Sequence, residues 1–334
     1  MSIIARTAQM KQQISIEAAY SSSTVEARHV LCTAPPAFPT DNVEYEESPN
    51  YCMDFEAIGE VTRKPGYGEH TIEFERLTLA DLILLAELSF AGGKSPTGAG
   101  PYVWIHNSAD TGDLGYLVAE VGVALGNSAA NFIKKLQNGQ AENLEIMIDS
   151  EASFMTATLK VRGDETEKIA SFSGTEAVSH STTKIKNSWV QLFIDDTAGA
   201  IGTTEITCNR LSAKLTLDNN MDSVLTDCGP KQDRGRRFMQ LELRFLLDTM
   251  SDDEYVDWSN ETTRFVRLKA TDPSTGEYWQ MDFVGVFQTY NHGEAGPFQD
   301  LTLVAKSQRD ATLGYSWQQV VSHDDASSLD YYNL

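Results

Sequence analysis

Residues 238–245 alternate without a break: Met239, Leu241, Leu243 and Phe245 fall on one side, and Gln240, Glu242 and Arg244 on the other. A period of two is the mark of a half-buried strand, because successive side chains leave opposite faces of the sheet. Downstream, Ser251 with Glu254 three residues on has the spacing of a capping box. There the hydroxyl accepts from a first-turn amide and the carboxylate reaches back to the cap. This predicts a short helix ending near Asn260. Residues 262–269 resume a β-branched and aromatic pattern, so the unit reads strand, capped helix, strand.

The same order occurs in the first half. Residues 71–75 alternate, Thr78 and Asp81 stand at box spacing, residues 79–90 carry a helical apolar face, and 102–105 are strand-like. Aspartate is shorter than glutamate and closes such a box less well. Each unit is followed by a second apolar strand (114–123 and 278–288) and then an alternating one (154–161 and 301–306). An order of elements met twice predicts an internal duplication. The expected fold is mainly β with flanking short helices (α+β), in two tandem units.

A chain of 334 residues is long enough for two ordinary cores. Its 48 Asp and Glu against 26 Lys and Arg give a net charge of −22. That sign argues against a nonspecific grip on nucleic acid or on an anionic membrane, while fitting a surface that DNA passes without sticking. Cys32, Cys52, Cys208 and Cys228 are far apart, with no Cys-x-x-Cys pair, so neither a zinc site nor a small-domain disulfide framework is expected. The first residues do not read as a signal peptide, and the most apolar run, 79–90, is broken by Asp81 and Glu87. A soluble protein made in a reducing cytoplasm, without a membrane span, is the expectation.

In chain order, residues 1–40, with Pro35, Pro36 and Pro39, read as an extended N-terminal arm. A first domain covers 41–170. It includes a loop at 57–68 carrying Arg63 and Lys64, a helix stop at Gly92 and Gly93, and a tight-turn signal at Asn138 and Gly139. A Ser/Thr-rich linker spans 171–187 and a second domain 188–321. Between residues 218 and 238 the second domain carries a loop with Lys231, Arg234, Arg236 and Arg237, in the same place before strand and helix as the first basic loop. Residues 322–334 form a polar tail.

The chemical motifs are weak. Gly93-Lys94-Ser95 ends like a phosphate loop, but it follows a helix instead of opening one, and the first glycine is replaced by Leu88. The six histidines never stand at metal-ligand spacing. Ser179 and His180 lie in the linker without a nucleophile elbow. Asp248, Asp252, Asp253, Glu254 and Asp257 complement a helix N-terminus. Asn260 fits a glycosylation sequon by spacing alone. Trp104, Trp189, Trp258, Trp279 and Trp317 all sit in apolar strand or helix patterns and read as core or interface. No catalytic constellation emerges, so the chain reads as an assembly protein, not an enzyme, with no cofactor.

Residues 188–204 (SWVQLFIDDTAGAIGTT), 215–218 (LTLD), 263–270 (TRFVRLKA) and 313–317 (LGYSW) together resemble the major tail tube proteins of long-tailed bacteriophages. The first half resembles them through its order of elements. The resemblance implies two tail-tube-like β-sandwich or barrel units, and a virion protein that polymerises into stacked rings. These form a hollow tube through which DNA is ejected into the host. Such rings commonly hold six units, so a duplicated chain would form trimeric rings of pseudo-six-fold symmetry; a single unit per chain would form hexamers. The implied partners are further copies of the chain and the tape measure, terminator and tail-tip proteins, with DNA passing the lumen unbound. Assembly would take place in the bacterial cytoplasm, and Arg63, Lys64, Lys231, Arg234, Arg236 and Arg237 are candidates for ring stacking. The alternative is a tail-tip or fibre protein that binds glycans, which calls for an exposed aromatic groove.

Overall fold

The computed structural model describes residues 10–17, 28–29, 36–43, 45–48, 60–63, 66–91, 95–98, 100–123, 132–172, 184–207, 210–226, 229–247 and 250–323. The four cysteines, Lys64, Gly92 and Gly93, Lys94, Ser179 and His180, Asp248 and the tail from 324 lie outside the described residues. The fold is mainly β, one large antiparallel sheet with two short helices.

The first half contributes β1 (Met10–Glu17), β2 (Arg28–His29), β3 (Thr40–Asn42), β4 (Tyr45–Ser48), β5 (Glu60–Arg63), β6 (Tyr67–Phe74), α1 (Leu79–Ser89), β7 (Tyr102–Asn107), β8 (Tyr116–Val123), β9 (Phe132–Asp149), β10 (Thr156–Gly163) and β11 (Glu167–Ile169). The second contributes β12 (Val190–Asp195), β13 (Glu205–Ile206), β14 (Arg210–Asp218), β15 (Met221–Thr226), β16 (Gly229–Arg234), β17 (Phe238–Leu246), α2 (Met250–Ser259), β18 (Thr263–Thr271), β19 (Tyr278–Ala295), β20 (Phe298–Ser307) and β21 (Trp317–His323).

The pairings run in the same order in both halves. In the first, β6 pairs with β10, β10 with β9, β9 with β8 and β8 with β1; β3 flanks β6, β2 flanks β1, and β11 lies on the other edge of β9. In the second, β17 pairs with β20, β20 with β19, β19 with β18 and β18 with β12; β14 flanks β17, β13 flanks β12, and β21 lies on the other edge of β19. The hairpin of β4 and β5 answers that of β15 and β16. β9 and β19 are each 18 residues long, and both slip by one residue against the strand that follows. Laid end to end, their extra residues, Glu142 and Gln288, coincide.

This register corrects the equivalences read from sequence. The strand at 102–105, β7, has no counterpart: it leaves its own half and pairs with β21 of the other. β8 therefore answers β18, and β9 answers β19. Asn138 and Gly139 do not make a hairpin turn but lie inside β9, where Asn138 adopts a left-handed φ of 52°. Register against β8 slips there, and the strand leaves β8 to take up β10. A bulge with one left-handed residue bends a strand without ending it. The expected arm also contains part of the sheet, since β1 pairs with β8 along its whole length and buries Ile14 and Ile16.

The halves share one sheet. β14 pairs with β17 on one edge and with residues 143–149 of β9 on the other, giving the continuous order β3, β6, β10, β9, β14, β17, β20, β19. The hydrophobic core likewise runs unbroken from Ile72 and Leu144 to Leu241 and Trp279. α1 is buried all round except at Asp81, which is the pattern of a helix enclosed by its neighbours. Asp81 closes the capping box fully: it donates its amide to Thr78 Oγ1 at 3.1 Å, and its carboxylate accepts from the Thr78 amide at 2.8 Å. Ser251, in contrast, lies inside α2, and Glu254 turns inward to Arg264 of β18 instead of back to a cap.

β1 is fastened at Gln12, whose side-chain amide lies 2.8 Å from Nε2 of His70 in β6. Burial lowers the His70 pKa from 6.5 to about 4, so the ring is neutral and accepts from the amide. In the unfolded chain it titrates near 6.5, and between those values the unfolded state binds the extra proton. This contribution is therefore complete above pH 6.5 and lost as pH falls to about 4, amounting to about 3 kcal/mol. Urea unfolding of wild type and His70→Gln at pH 7 and pH 4.5 checks this: the variant should lose less stability on acidification, whereas equal losses would remove His70 as a cause.

Candidate assembly surfaces

Alternation along the shared sheet gives it one buried face and one polar face. On the buried side stand Ile72, Leu159, Leu144, Leu215, Leu241 and Leu303, one from each successive strand. Directly paired residues share a face, so the opposite side carries Glu69, Thr71 and Glu73 of β6, Thr158, Lys160 and Arg162 of β10, and Asn143, Glu145 and Asp149 of β9. It continues through Lys214, Thr216 and Asp218 of β14, Gln240, Glu242 and Arg244 of β17, and Thr302 and Lys306 of β20.

Four of the five cations on this face lie against carboxylates, and the fifth, Lys306, lies over the Phe238 ring at 4.5 Å. Arg162 donates to Glu142 at 2.6 Å and lies 3.4 Å from Glu69; Lys160 is 2.8 Å from Glu142 and Lys214 is 2.8 Å from Glu145. The hydrogen bond to Glu142 raises the Lys160 pKa. Arg244 contacts the buried Asp300. The eight carboxylates named here stand against five cations, a small part of the net charge of −22, so the face is a mixed polar surface and most of the chain's acidity lies elsewhere. Sequence reading identified the alternation in 238–245 and 154–161 but not that these positions share one surface. That follows only from the non-local pairing of β9 with β14.

The basic loops are the two hairpins. Arg63 ends β5, opposite Tyr45, while Lys231 and Arg234 lie in β16, opposite Val224 and Met221. Arg236 is exposed beyond the second hairpin. Arg237 has a different place. It is half-buried, donates to the carbonyls of Phe90, at the end of α1, and of Asp110 (2.8 Å), and lies over the Trp317 ring at 5.8 Å. It therefore holds α1 to the β7–β8 connection, as the orphan carbonyls at a helix end require.

No family model matches the chain, and no curated protein matches it.

Beneath α2, Arg264 spans three carboxylates: it contacts Glu254, lies 2.9 Å from Asp257, and reaches Asp196 beyond β12. The Arg264 and Glu254 side chains are 6% and 1% exposed, so this is a buried ionic tie between helix and sheet. Arg267 forks onto Asp282 with bonds of 2.6 and 2.8 Å. These carboxylates are committed to guanidinium groups. Among the described residues no group of three or more His, Cys, Asp or Glu is placed to hold a metal, and no helix is long and apolar enough to cross a membrane. Trp104, Trp279 and Trp317 are buried, and Trp189 and Trp258 pack against the core.

Proposed function

We propose that the chain is a tail tube protein that assembles, three copies to a ring, into a hollow conduit for DNA. The observation that carries this reading is the repeated order of pairings on one continuous sheet. It gives each chain two like units, side by side, with a common polar face. Each unit supplies four strands to that sheet: β3, β6, β10 and β9, then β14, β17, β20 and β19. The repeat is what an internal duplication leaves behind.

Closure of the sheet sets the size of the ring. Three copies supply twenty-four strands. At a spacing of ~4.8 Å and a tilt between none and ~40°, their backbones enclose a circle roughly 37 to 48 Å across. Side chains reaching inward ~5 Å from each wall leave a bore of roughly 27 to 38 Å, wide enough for a DNA duplex. Two copies, treated the same way, leave roughly 14 to 22 Å, too little for free passage. The wall would be the mixed polar face, where carboxylates beside Lys160, Arg162, Lys214 and Arg244 discourage phosphate binding.

The hairpins of β4–β5 and β15–β16 leave the sheet at equivalent places and would meet the adjacent ring. Reversing Lys231, Arg234 and Arg236 to Glu, with Arg237 left in its structural role, is expected to leave rings that fail to stack. Tubes of normal length from this variant would contradict the stacking role. The function itself is tested by negative-stain electron microscopy of the purified chain: stain-filled rings or tubes are expected, and discrete globules without a channel would overturn the reading.

A further inference from the structure

The geometry points to a specific junction between copies: β3 of one copy adds antiparallel to the far end of β19 of the next, as β14 adds to β9 within the chain. The inference rests on the ring reading and deepens it.

The template is internal. β14 answers β3 and β9 answers β19, and the junction of β14 with β9 sets Thr216 opposite Glu145 and Asp218 opposite Asn143. Both registers transfer through shared neighbours. Thr40 pairs with Glu69 as Thr216 pairs with Gln240, and β6 superposes on β17 through β10 and β20. The equivalent contacts place Thr40 opposite Asn291 and Asn42 opposite Thr289 of the next copy. β18 covers that edge of β19 only as far as Val286, and among the described strands β3 pairs with β6 alone. Thr40, Asn42 and Asn291 are exposed. Two edge strands left by one chain, matching in position the two joined inside it, are suited to each other.

A second observation, from the helices, points to the same side. α1 and α2 begin at equivalent positions, so Leu84 and Leu85 of α1 answer Tyr255 and Val256 of α2. Within the chain, β21 of the second half lies over α1, and Gln319 donates to the Leu82 carbonyl at 2.9 Å; Leu84 and Leu85 are buried. Among the described residues nothing equivalent follows α2, and Tyr255 and Val256 are 49% and 53% exposed. Phe298 stands in β20 where Phe154 stands before β10 and is 61% exposed, whereas Phe154 is half-buried beside the start of the second half. The three most exposed large hydrophobic side chains among the described residues thus lie where the next unit would cover them. The occupant is a second copy, presenting β3 and β11 as the second half presents β14 and β21.

The test is cysteine cross-linking of the full chain under mild oxidation. Thr40→Cys with Asn291→Cys should move the monomer band into covalent dimers and trimers, with the ladder ending at three. Each single variant should leave the band unchanged, and Thr216→Cys with Glu145→Cys, the internal equivalent, should link without a gain in mass. Val256→Glu supplies an independent arm at an exposed position: it should abolish rings while leaving a folded monomer with an unchanged circular dichroism spectrum. Rings that form without the Thr40–Asn291 link, or that survive Val256→Glu, would overturn this junction and leave the ring reading standing. An unmutated chain that forms no rings would overturn both.

Discussion

Replacing Arg264 with alanine is expected to cost about 3–5 kcal/mol of folding stability, because it strands Glu254 as a charge without its guanidinium inside the protein. Arg264 comes from β18 and meets α2 from below, and its own side chain is almost fully enclosed. Asp257, partly exposed, and Asp196, mostly exposed, can regain water when the guanidinium is lost. Glu254 cannot. Replacing both members of the pair, Arg264→Met with Glu254→Met, should therefore cost less than Arg264→Ala alone, since no unpaired charge is left behind. Urea unfolding midpoints of the two variants measure this, and a double variant as damaged as the single one would show that the charge is not the cause.

Trp317→Ala should cost a similar amount, about 3–5 kcal/mol. The indole is buried, with its ring centre 4.4 Å from that of Phe90 and with Arg237 over its face. It also begins the strand that pairs with β19 of its own half and β7 of the other. The lost volume thus lies at the joint of the two halves. Loss of stability in a single transition is expected, and two separated transitions in wild type would contradict the shared core.

Local pattern made much of this fold legible. Alternation in 238–245 and 154–161 gave true strands, Thr78 and Asp81 a true cap, and the basic segments matching positions in the two halves. The failures are non-local. Asn138-Gly139 carries the chemistry of a tight turn, and only the partners on either side, β8 before and β10 after, make it a bend inside one strand. Glu254 has the spacing of a capping residue, but Arg264, ten residues away, offers a buried charge of opposite sign, which outweighs one amide hydrogen bond. Arg237 reads as one more basic loop residue until Phe90 and Trp317, distant in sequence, are seen beside it. The polar wall was the least legible surface, because its alternating positions are contributed by strands from both halves.

End-on images of the assembled particles test the central claim most directly. Averages of the unmutated chain should show a three-fold ring of six similar lobes around an open centre, two lobes to a copy. Six-fold averages with one chain in each lobe, or compact particles with no channel, would contradict a conduit built from two like units per chain.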